Sequence, residues 1–145
     1  MVKMYLLDTG FVTLCLTNNL PEKWVHPWKE IQEGIKTGCV IEPIIAESYY
    51  QLLIKYGLDR EKANESILRF KAVKGTRIMS IDNNTAILAG NYRIRFKKFS
   101  LSLVDCFLLA TGYKNRNDAK IYTTDEKLKI ASKDIFVPCD YLPIR

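Results

Sequence analysis

The chain has 145 residues, of which 48% are apolar, and this is the usual size and composition of one compact domain spanning residues 1–145. A charged fraction of 26%, with only 7 Gly and 5 Pro, excludes disordered and collagen-like proteins. The formal charge of +6 and the pI near 9.1 are typical of proteins that meet polyanions, although ordinary basic enzymes share them.

Cysteine and histidine usage narrows the possible chemistry. The four cysteines, Cys15, Cys39, Cys106 and Cys139, are far apart and lie among apolar neighbours, which is typical of reduced thiols rather than of a disulfide framework. The only histidine is His26, so a His-rich zinc site and a His-based catalytic triad are excluded. Any metal chemistry must therefore use oxygen ligands.

The first residues have some features of a signal peptide, because an apolar stretch follows Lys3. Asp8 interrupts that stretch, no small-residue cleavage site follows, and no run reaches the roughly 18 apolar residues of a membrane span. We therefore expect a cytoplasmic protein without a membrane partner.

Five short apolar runs predict strands that are buried on both faces of a sheet. They cover residues 3–7, 39–41, 77–81, 120–123 and 135–137. Helical patterns lie between them over the whole length of the chain. This alternation predicts right-handed crossovers and a parallel sheet with helices on both faces, an α/β three-layer sandwich.

Helix starts are indicated by a proline or by a side chain that can cap the first turn. These residues are Pro27, Pro43, Asp59, Asp82, Ser102 and Asp125. The helix from Pro43 is expected to run to about Ile54, and the helix from Ser102 to about Tyr113. Polar stretches predict loops over residues 17–26 and 115–118.

Four acidic residues are expected at one edge of this sheet, since ligands of open parallel sheets bind at the carboxyl ends of the strands. Asp8 ends the first strand, and Asp125 follows the fourth. Glu47 lies about one turn into the helix after the second strand. Asp105 lies in the first turn of the helix that leads into the fourth strand, so all four carboxylates can reach the same edge.

Four clustered carboxylates repel one another and shift toward protonation unless cations neutralise them. Mg²⁺ and Mn²⁺ are hard ions that prefer oxygen ligands. One such ion, or two roughly 3.5–4 Å apart, can activate water for an in-line phosphoryl displacement. The acids and the basic net charge together predict a nuclease.

The segments that contain these acids also resemble a known family. They read YLLDTG at 5–10, IIAES at 44–48, SLSLVD at 100–105 followed by LLAT at 108–111, and IYTTD at 121–125. Each segment is a weak signal, but the ordered set is similar to the PIN-domain ribonucleases over the whole chain. The chain is most similar to the toxin component of VapBC-type toxin–antitoxin pairs.

The resemblance implies a Mg²⁺- or Mn²⁺-dependent endoribonuclease that cleaves RNA, forms a homodimer and is inhibited by a small antitoxin protein whose tail occupies the site. It implies that Asp8, Asp105 and Glu47 hold the metal, and that Asp125 completes the catalytic cluster directly or through water. Thr9 or Thr124 is expected to orient a water molecule bound to the metal.

Each acid also has a purely structural interpretation. Asp105 fits a capping box with Ser102, Asp125 can cap the helix that follows it, and Glu47 can be a solvated helix residue. Asp8 is the hardest to explain in this way, because a carboxylate that closes a buried strand needs a partner.

The segment 93–98 places four cations, Arg93, Arg95, Lys97 and Lys98, around Phe96. These cations can hold an RNA backbone while Phe96 stacks on a base. Alternatively, the segment is a solvated helix end whose cations complement the helix dipole.

Five other residues have structural interpretations. Trp24 and Trp28 are expected in the core or as dimer anchors. Asp82 is expected to cap a helix, Glu42 to lie in a loop before a proline, and His26 to lie at the surface.

Two other functional classes are alternatives to a nuclease. A PIN-like module that binds RNA or a protein without cutting would show RNA binding but no divalent-ion binding. Phospho-accepting receivers and haloacid-dehalogenase-like phosphatases share the α/β plan but fit poorly. The receivers need an acid pair at the first strand, and the phosphatases need a second Asp where Gly10 stands.

Overall fold

The computed structural model describes residues 1–143. Its strands, numbered β1 to β5, are Met4–Leu7, Thr37–Ile41, Thr76–Met79, Ala119–Thr123 and Cys139–Tyr141. Its α-helices, numbered α1 to α7, are Thr9–Leu16, Glu22–Gln32, Glu42–Ile54, Arg60–Lys71, Asn83–Arg95, Leu103–Lys114 and Glu126–Asp134. One turn of 3-10 helix, Lys97–Phe99, precedes α6.

All five strands are parallel and form one sheet in the order β3-β2-β1-β4-β5. The central strand β1 pairs with β2 on one side and β4 on the other, with Leu6 opposite Cys39 and Ile121. The chain adds β2 and β3 on one side of β1 and then β4 and β5 on the other side. Because the crossovers are right-handed, α1 to α4 lie on one face of the sheet and α5 to α7 on the other. The predicted α/β sandwich is confirmed.

The core forms around β1 because both of its neighbours and both helical layers cover it. Leu6 and Leu7 are fully buried, as the uninterrupted apolar run predicts. Next to them Phe11 packs on Trp24 with ring centroids 5.0 Å apart, and the indole N–H of Trp24 donates to Asp140 at 3.2 Å. Trp24 is therefore a core residue, which is one of its two expected roles.

The strand predicted over residues 135–137 is wrong. Ile135 ends α7, Phe136 has a φ of 59°, and the fifth strand begins only at Cys139. Ile135 and Val137 are buried because the chain turns back on the helix end, not because they lie in a sheet. Apolar residues on either side of a tight turn thus gave the same pattern as a short strand.

The start of the second helix is also placed wrongly. The helix begins at Glu22, so residues 22–26 are not a loop, and Pro27 lies inside the helix. Trp24, Trp28 and Ile31, which have helical spacing, indicate the earlier start. The patterns above predict no element over α1, where the strand passes into a helix within one residue.

Within residues 1–143, no helix combines the length and apolar character that crossing a bilayer requires.

Glycine 75, between α4 and β3, is predicted to tolerate no side chain. A Cβ at Gly75 would lie 2.2 Å from the backbone oxygen of Ile31 and 2.6 Å from that of Lys36. We expect Gly75→Ala to lower the free energy of unfolding by about 1–3 kcal/mol, because backbone atoms must move. Urea unfolding followed by circular dichroism measures this change.

Gly90→Ala is the matched control. Gly90 is exposed within α5, and an added Cβ there meets nothing within 4 Å. The substitution should raise the free energy of unfolding by about 0.5–1 kcal/mol, because alanine favours the helix. Equal effects of the two substitutions would contradict the packing described for Gly75.

Candidate functional site

The carboxylate of Asp8 is buried at the carboxyl end of β1, with 6% of the residue exposed. One oxygen accepts the backbone N–H of Phe11 at 2.8 Å, which makes Asp8 the N-cap of α1. The other oxygen accepts the hydroxyl of Thr123 at 2.6 Å and the backbone N–H of Thr124 at 3.1 Å. Asp8 thus has the partners that burial demands.

Asp105 stands at the start of α6 in a complete capping box. Its backbone N–H donates to the Ser102 hydroxyl at 3.1 Å, and its carboxylate accepts the Ser102 N–H at 3.3 Å. The structural interpretation of Asp105 is therefore correct, and it does not exclude a functional one. The same turn points the Asp105 side chain into a cleft that Asp8 also lines.

Glu47 and Asp125 reach this cleft from two other elements. Glu47 lies in α3 and is half-buried, and Asp125 is the N-cap of α7, where it accepts the N–H of Lys127 at 2.9 Å. The cleft has a volume of about 450 Å³, and all four predicted acids line it. It lies where the strand order reverses, between β1 and β4, as expected for an open parallel sheet.

The sequence patterns missed Thr123, which is fully buried and bonded to the cleft residue Asp8, and lining residues such as Gln51 and Lys55. Thr123 holds Asp8 and also accepts the backbone N–H of Asp125 at 3.0 Å. Gln51 and Lys55 line the cleft with Glu47. Their spacing of four and eight residues after Glu47 on one helix is the signal that could have found them.

The two threonines predicted to orient water lie at the cleft. The side chain of Thr124 packs so closely on Gly10 that a Cβ there would come within 2.1 Å of its hydroxyl oxygen. The Thr9 carbonyl accepts the Thr13 hydroxyl at 2.9 Å. Their predicted role toward a metal-bound water stays a prediction.

Burial and mutual repulsion oppose the ionisation of two of the acids. Burial raises the pKa of Asp8 to about 6, although its three hydrogen bonds lower it and the nearby Asp105 raises it further. Burial also raises the pKa of Asp105 to about 6, with added repulsion from Asp125 and Glu47. The negative charges of Asp125 and Glu47 thus raise the pKa of Asp105, and that of Asp105 raises the pKa of Asp8.

The donor set fits a hard divalent cation, because carboxylates from four elements face one open cleft, and its lining within residues 1–143 contains neither His nor Cys. A cation would also relieve the repulsion that raises the two pKa values. Within the described residues 1–143, no three His, Cys, Asp or Glu side chains already have the spacing of a metal site.

The basic segment lies outside the cleft. Arg95 and Lys98 line one surface depression, and Arg93 and Lys97 line another. The prediction that Phe96 stacks on a base is wrong, because Phe96 is 4% exposed and packs in the core. Contact of the four cations with RNA stays a prediction.

The remaining polar residues have structural roles. Asp82 caps α5 through the N–H of Thr85 at 2.8 Å and pairs with Lys114 at 3.0 Å. Glu42 is the first residue of α3 rather than a loop residue. His26 lies at the surface on α2, 3.8 Å from Glu30.

Replacing Asp8 with Asn is expected to remove part of the pH dependence of folding stability. The pKa of Asp8 in the folded chain, about 6, is above the ordinary value of 3.8. The folded chain therefore binds this proton more tightly than the unfolded chain, and stability present below about pH 4 is lost as the pH rises through about 6. The shift corresponds to about 3 kcal/mol, which urea unfolding from pH 4 to 8 in EDTA measures.

Asp82→Asn is the control for this pH dependence of folding stability. The N–H of Thr85 and the side chain of Lys114 lower the pKa of Asp82 to about 2. Asp82 therefore stays ionised in the folded chain throughout this pH range, and its replacement should leave the slope between pH 5 and 8 unchanged, since the unfolded chain binds this proton only near pH 4 and below. An unaltered slope in Asp8→Asn would show that the Asp8 carboxylate is not held as described.

Comparison with known proteins agrees with this geometry. Residues 5–134 match the PIN domain family. None of the curated protein sequences matches the chain.

Several solved structures have the same fold. VapBC2 from Rickettsia felis, bound to a promoter DNA fragment, has a TM-score of 0.72 and 14% identity over 95% of this chain and 98% of that chain. VapC20 from Mycobacterium tuberculosis, a toxin that cleaves the sarcin-ricin loop, has a TM-score of 0.67 and 14% identity over 88% and 94%. FitAcB from Neisseria gonorrhoeae has a TM-score of 0.66 and 21% identity over 94% and 96%. With its family match over most of its length, the chain belongs to the PIN-domain family.

Proposed function

We propose that this PIN domain is a divalent-metal-dependent endoribonuclease and the toxin of a VapBC-type toxin–antitoxin pair. The convergence of Asp8, Glu47, Asp105 and Asp125 in one cleft carries the proposal. The cleft lies at the edge of the sheet where this fold class binds ligands. VapC20, a toxin whose solved structure has the same fold, cleaves the sarcin-ricin loop.

In this proposal, the residues of the cleft bind the ion and position the phosphate. Asp8, Asp105 and Glu47 hold Mg²⁺ or Mn²⁺, and Asp125 completes the site directly or through water. The bound ion supplies activation of water and neutralisation of charge at the phosphodiester. Thr123 fixes the orientation of the Asp8 carboxylate, and the ammonium of Lys55 offers a contact to a phosphate oxygen.

The helices add to the attraction for an anion. Asp8, Asp105 and Asp125 each lie at the N-terminus of a helix, where backbone N–H groups and the helix dipole favour negative charge. A phosphate that enters the cleft thus meets three helix N-termini. The net charge of +6 attracts RNA over a longer range.

The partners follow from the same proposal. VapBC and FitAB structures have this fold, and we propose a small antitoxin protein as the inhibitor of this chain and a homodimer as its assembled form. We place the protein in the cytoplasm, in agreement with four free cysteines. A short reading frame for a DNA-binding protein with an acidic tail, overlapping or directly preceding this one, would support the antitoxin.

A PIN-like module that binds RNA without cleaving it is the second candidate. The observation that favours it is the separation of the carboxylates, since no three of them in residues 1–143 are already grouped for a metal. Calorimetric titration separates the two candidates. RNA binding without Mn²⁺ binding would support the module, and Mn²⁺ binding that requires Asp8 would support the nuclease.

Replacing either central acid with its amide is expected to abolish cleavage. Asp8→Asn and Asp105→Asn each remove one charged ligand and should lower the Mg²⁺- or Mn²⁺-dependent cleavage rate by at least about 100-fold, beyond the usual cost of disturbing a ligand's hydrogen-bond partner. The measurement is the cleavage of a labelled RNA, with circular dichroism to check the fold.

Asp82→Asn, which changes an exposed helix cap outside the cleft, should keep full activity in this assay. Undiminished cleavage by both amide variants would overturn the nuclease assignment.

Thr123→Val is expected to weaken metal binding without removing a carboxylate. It deletes the 2.6 Å hydrogen bond that orients Asp8 and the 3.0 Å bond from the N–H of Asp125, while keeping the shape of the side chain. Loss of such a partner usually costs 10- to 100-fold in metal affinity or activity, and we expect about 10-fold in the Mn²⁺ dissociation constant. Thr85→Val, at another buried threonine, is the control, and an equal loss there would show a general packing effect.

A further inference from the structure

Among the large hydrophobic residues of the described chain, 1–143, Phe136 is the most exposed after Met1, with 85% of the residue accessible. It lies just past the end of α7, in a surface depression of about 500 Å³. Phe99 lines the same depression and stacks on Phe96, with centroids 6.1 Å apart. An aromatic surface is thus open to solvent at this place.

Backbone hydrogen bonds explain why the chain turns at Phe136, but they do not explain why this residue is a phenylalanine. The N–H of Phe136 donates to the carbonyl of Lys133 at 3.1 Å, and the N–H of Val137 donates to that of Ser132 at 3.0 Å. These two bonds form a Schellman motif, in which Phe136, with φ of 59°, occupies the position where glycine is usual. A bulky residue with positive φ is rare, so the helix end alone gives no reason for phenylalanine here.

Three cations surround this aromatic surface. Arg95, Lys98 and Lys133 line the depression with Phe136, and Asp134 is the only acid in its lining within residues 1–143. Arg95 pairs with Asp134 at 2.9 Å. Lys98 and Lys133 form no ion pair within the described part of the chain, so they are available to an anionic ligand.

We propose that this surface, named the Phe136 patch and formed by Arg95, Lys98, Phe99, Lys133 and Phe136, is a secondary binding site for single-stranded RNA. A base stacks on Phe136, and the lysines contact the adjacent phosphates. An exposed aromatic ring among free cations is the combination that binds single strands without reading their sequence. The cations also argue against a purely apolar protein partner for this surface.

The position of the patch relates it to the cleft. Asp125 in the cleft and Asp134 in the patch are at opposite ends of α7, a helix of nine residues that spans about 13 Å. Phe99 lies three residues before Ser102, another residue of the cleft. The inference rests on the proposed ribonuclease function, since it assigns the place where the same RNA strand is held beyond the cleft.

Fluorescence anisotropy of a fluorescein-labelled, mixed-sequence 20-nucleotide RNA tests the proposal. The protein is full-length Asp8→Asn in EDTA, so that binding is measured without cleavage. Adding Phe136→Gly should raise the RNA dissociation constant about 5- to 100-fold, the usual range for one stacked base. Thermal stability should be equal or higher, because glycine suits the positive φ. Phe136→Trp should restore binding.

The contribution of the two lysines is measured separately, through the salt dependence of RNA binding. Lys98→Gln and Lys133→Gln should each lower the slope of log affinity against log salt by about 0.7. Lys23→Gln and Ile35→Ser, at exposed positions outside the patch, are the controls for charge and for apolar exposure. If both lysine variants keep the parental slope, the patch does not contact phosphate.

Three outcomes overturn the proposal in distinguishable ways. Unchanged RNA affinity of Phe136→Gly, with normal binding by the Asp8→Asn parent, rejects the patch but leaves the proposed function intact. Unchanged affinity with a shift from dimer to monomer in analytical ultracentrifugation assigns the patch to a second copy of the chain. An absence of RNA binding by the Asp8→Asn parent rejects the patch, and if the unsubstituted chain also fails to cleave the same RNA in Mn²⁺, the proposed ribonuclease is rejected with it.

Discussion

The buried carboxylate of Asp8 is the interaction on which the site and much of the fold depend. Its hydrogen bonds join the end of β1 to the end of β4 and to the first turn of α1. Burial nevertheless raises its pKa to about 6, so the ionised form costs folding free energy at neutral pH. A site of this kind is stable in its charged form only when a cation or further donors compensate, which is a common conflict between stability and function.

Helix capping and ligand binding are compatible roles in this molecule. Asp8, Asp105 and Asp125 each accept a hydrogen bond within the first turn of a helix or cap its start. Capping restricts the side chain to one direction, and the sheet topology directs three such helix starts toward one edge. The structural interpretation of each acid therefore accounts for its orientation. The meeting of acids from separate elements in one cleft is not explained by capping and needs the functional interpretation as well.

The α/β class and the meeting of the four acids were predictable from the sequence, because buried parallel strands leave uninterrupted apolar runs that end at Asp8 and near Asp125. Thr123 was not predictable, since its role depends on the pairing of β4 with β1 across more than 100 residues of chain. Phe136 was misplaced because local apolar pattern cannot distinguish a strand from a tight turn at a helix end. Burial of Phe96 likewise depends on how α5 packs, which no local spacing reveals.

The placement of β1 at the centre of the sheet has a consequence for the order of folding. Leu6 pairs with Cys39 and with Ile121. The first strand to be synthesised therefore cannot pair on both sides until Ile121 has been added to the chain. Non-local pairings of this kind form late, because loop closure precedes any compensating contact. The carboxylate of Asp8 has no partner in β4 until Thr123 has been synthesised. The four carboxylates of the cleft are therefore brought together only after Thr123 and Asp125 have been added to the growing chain.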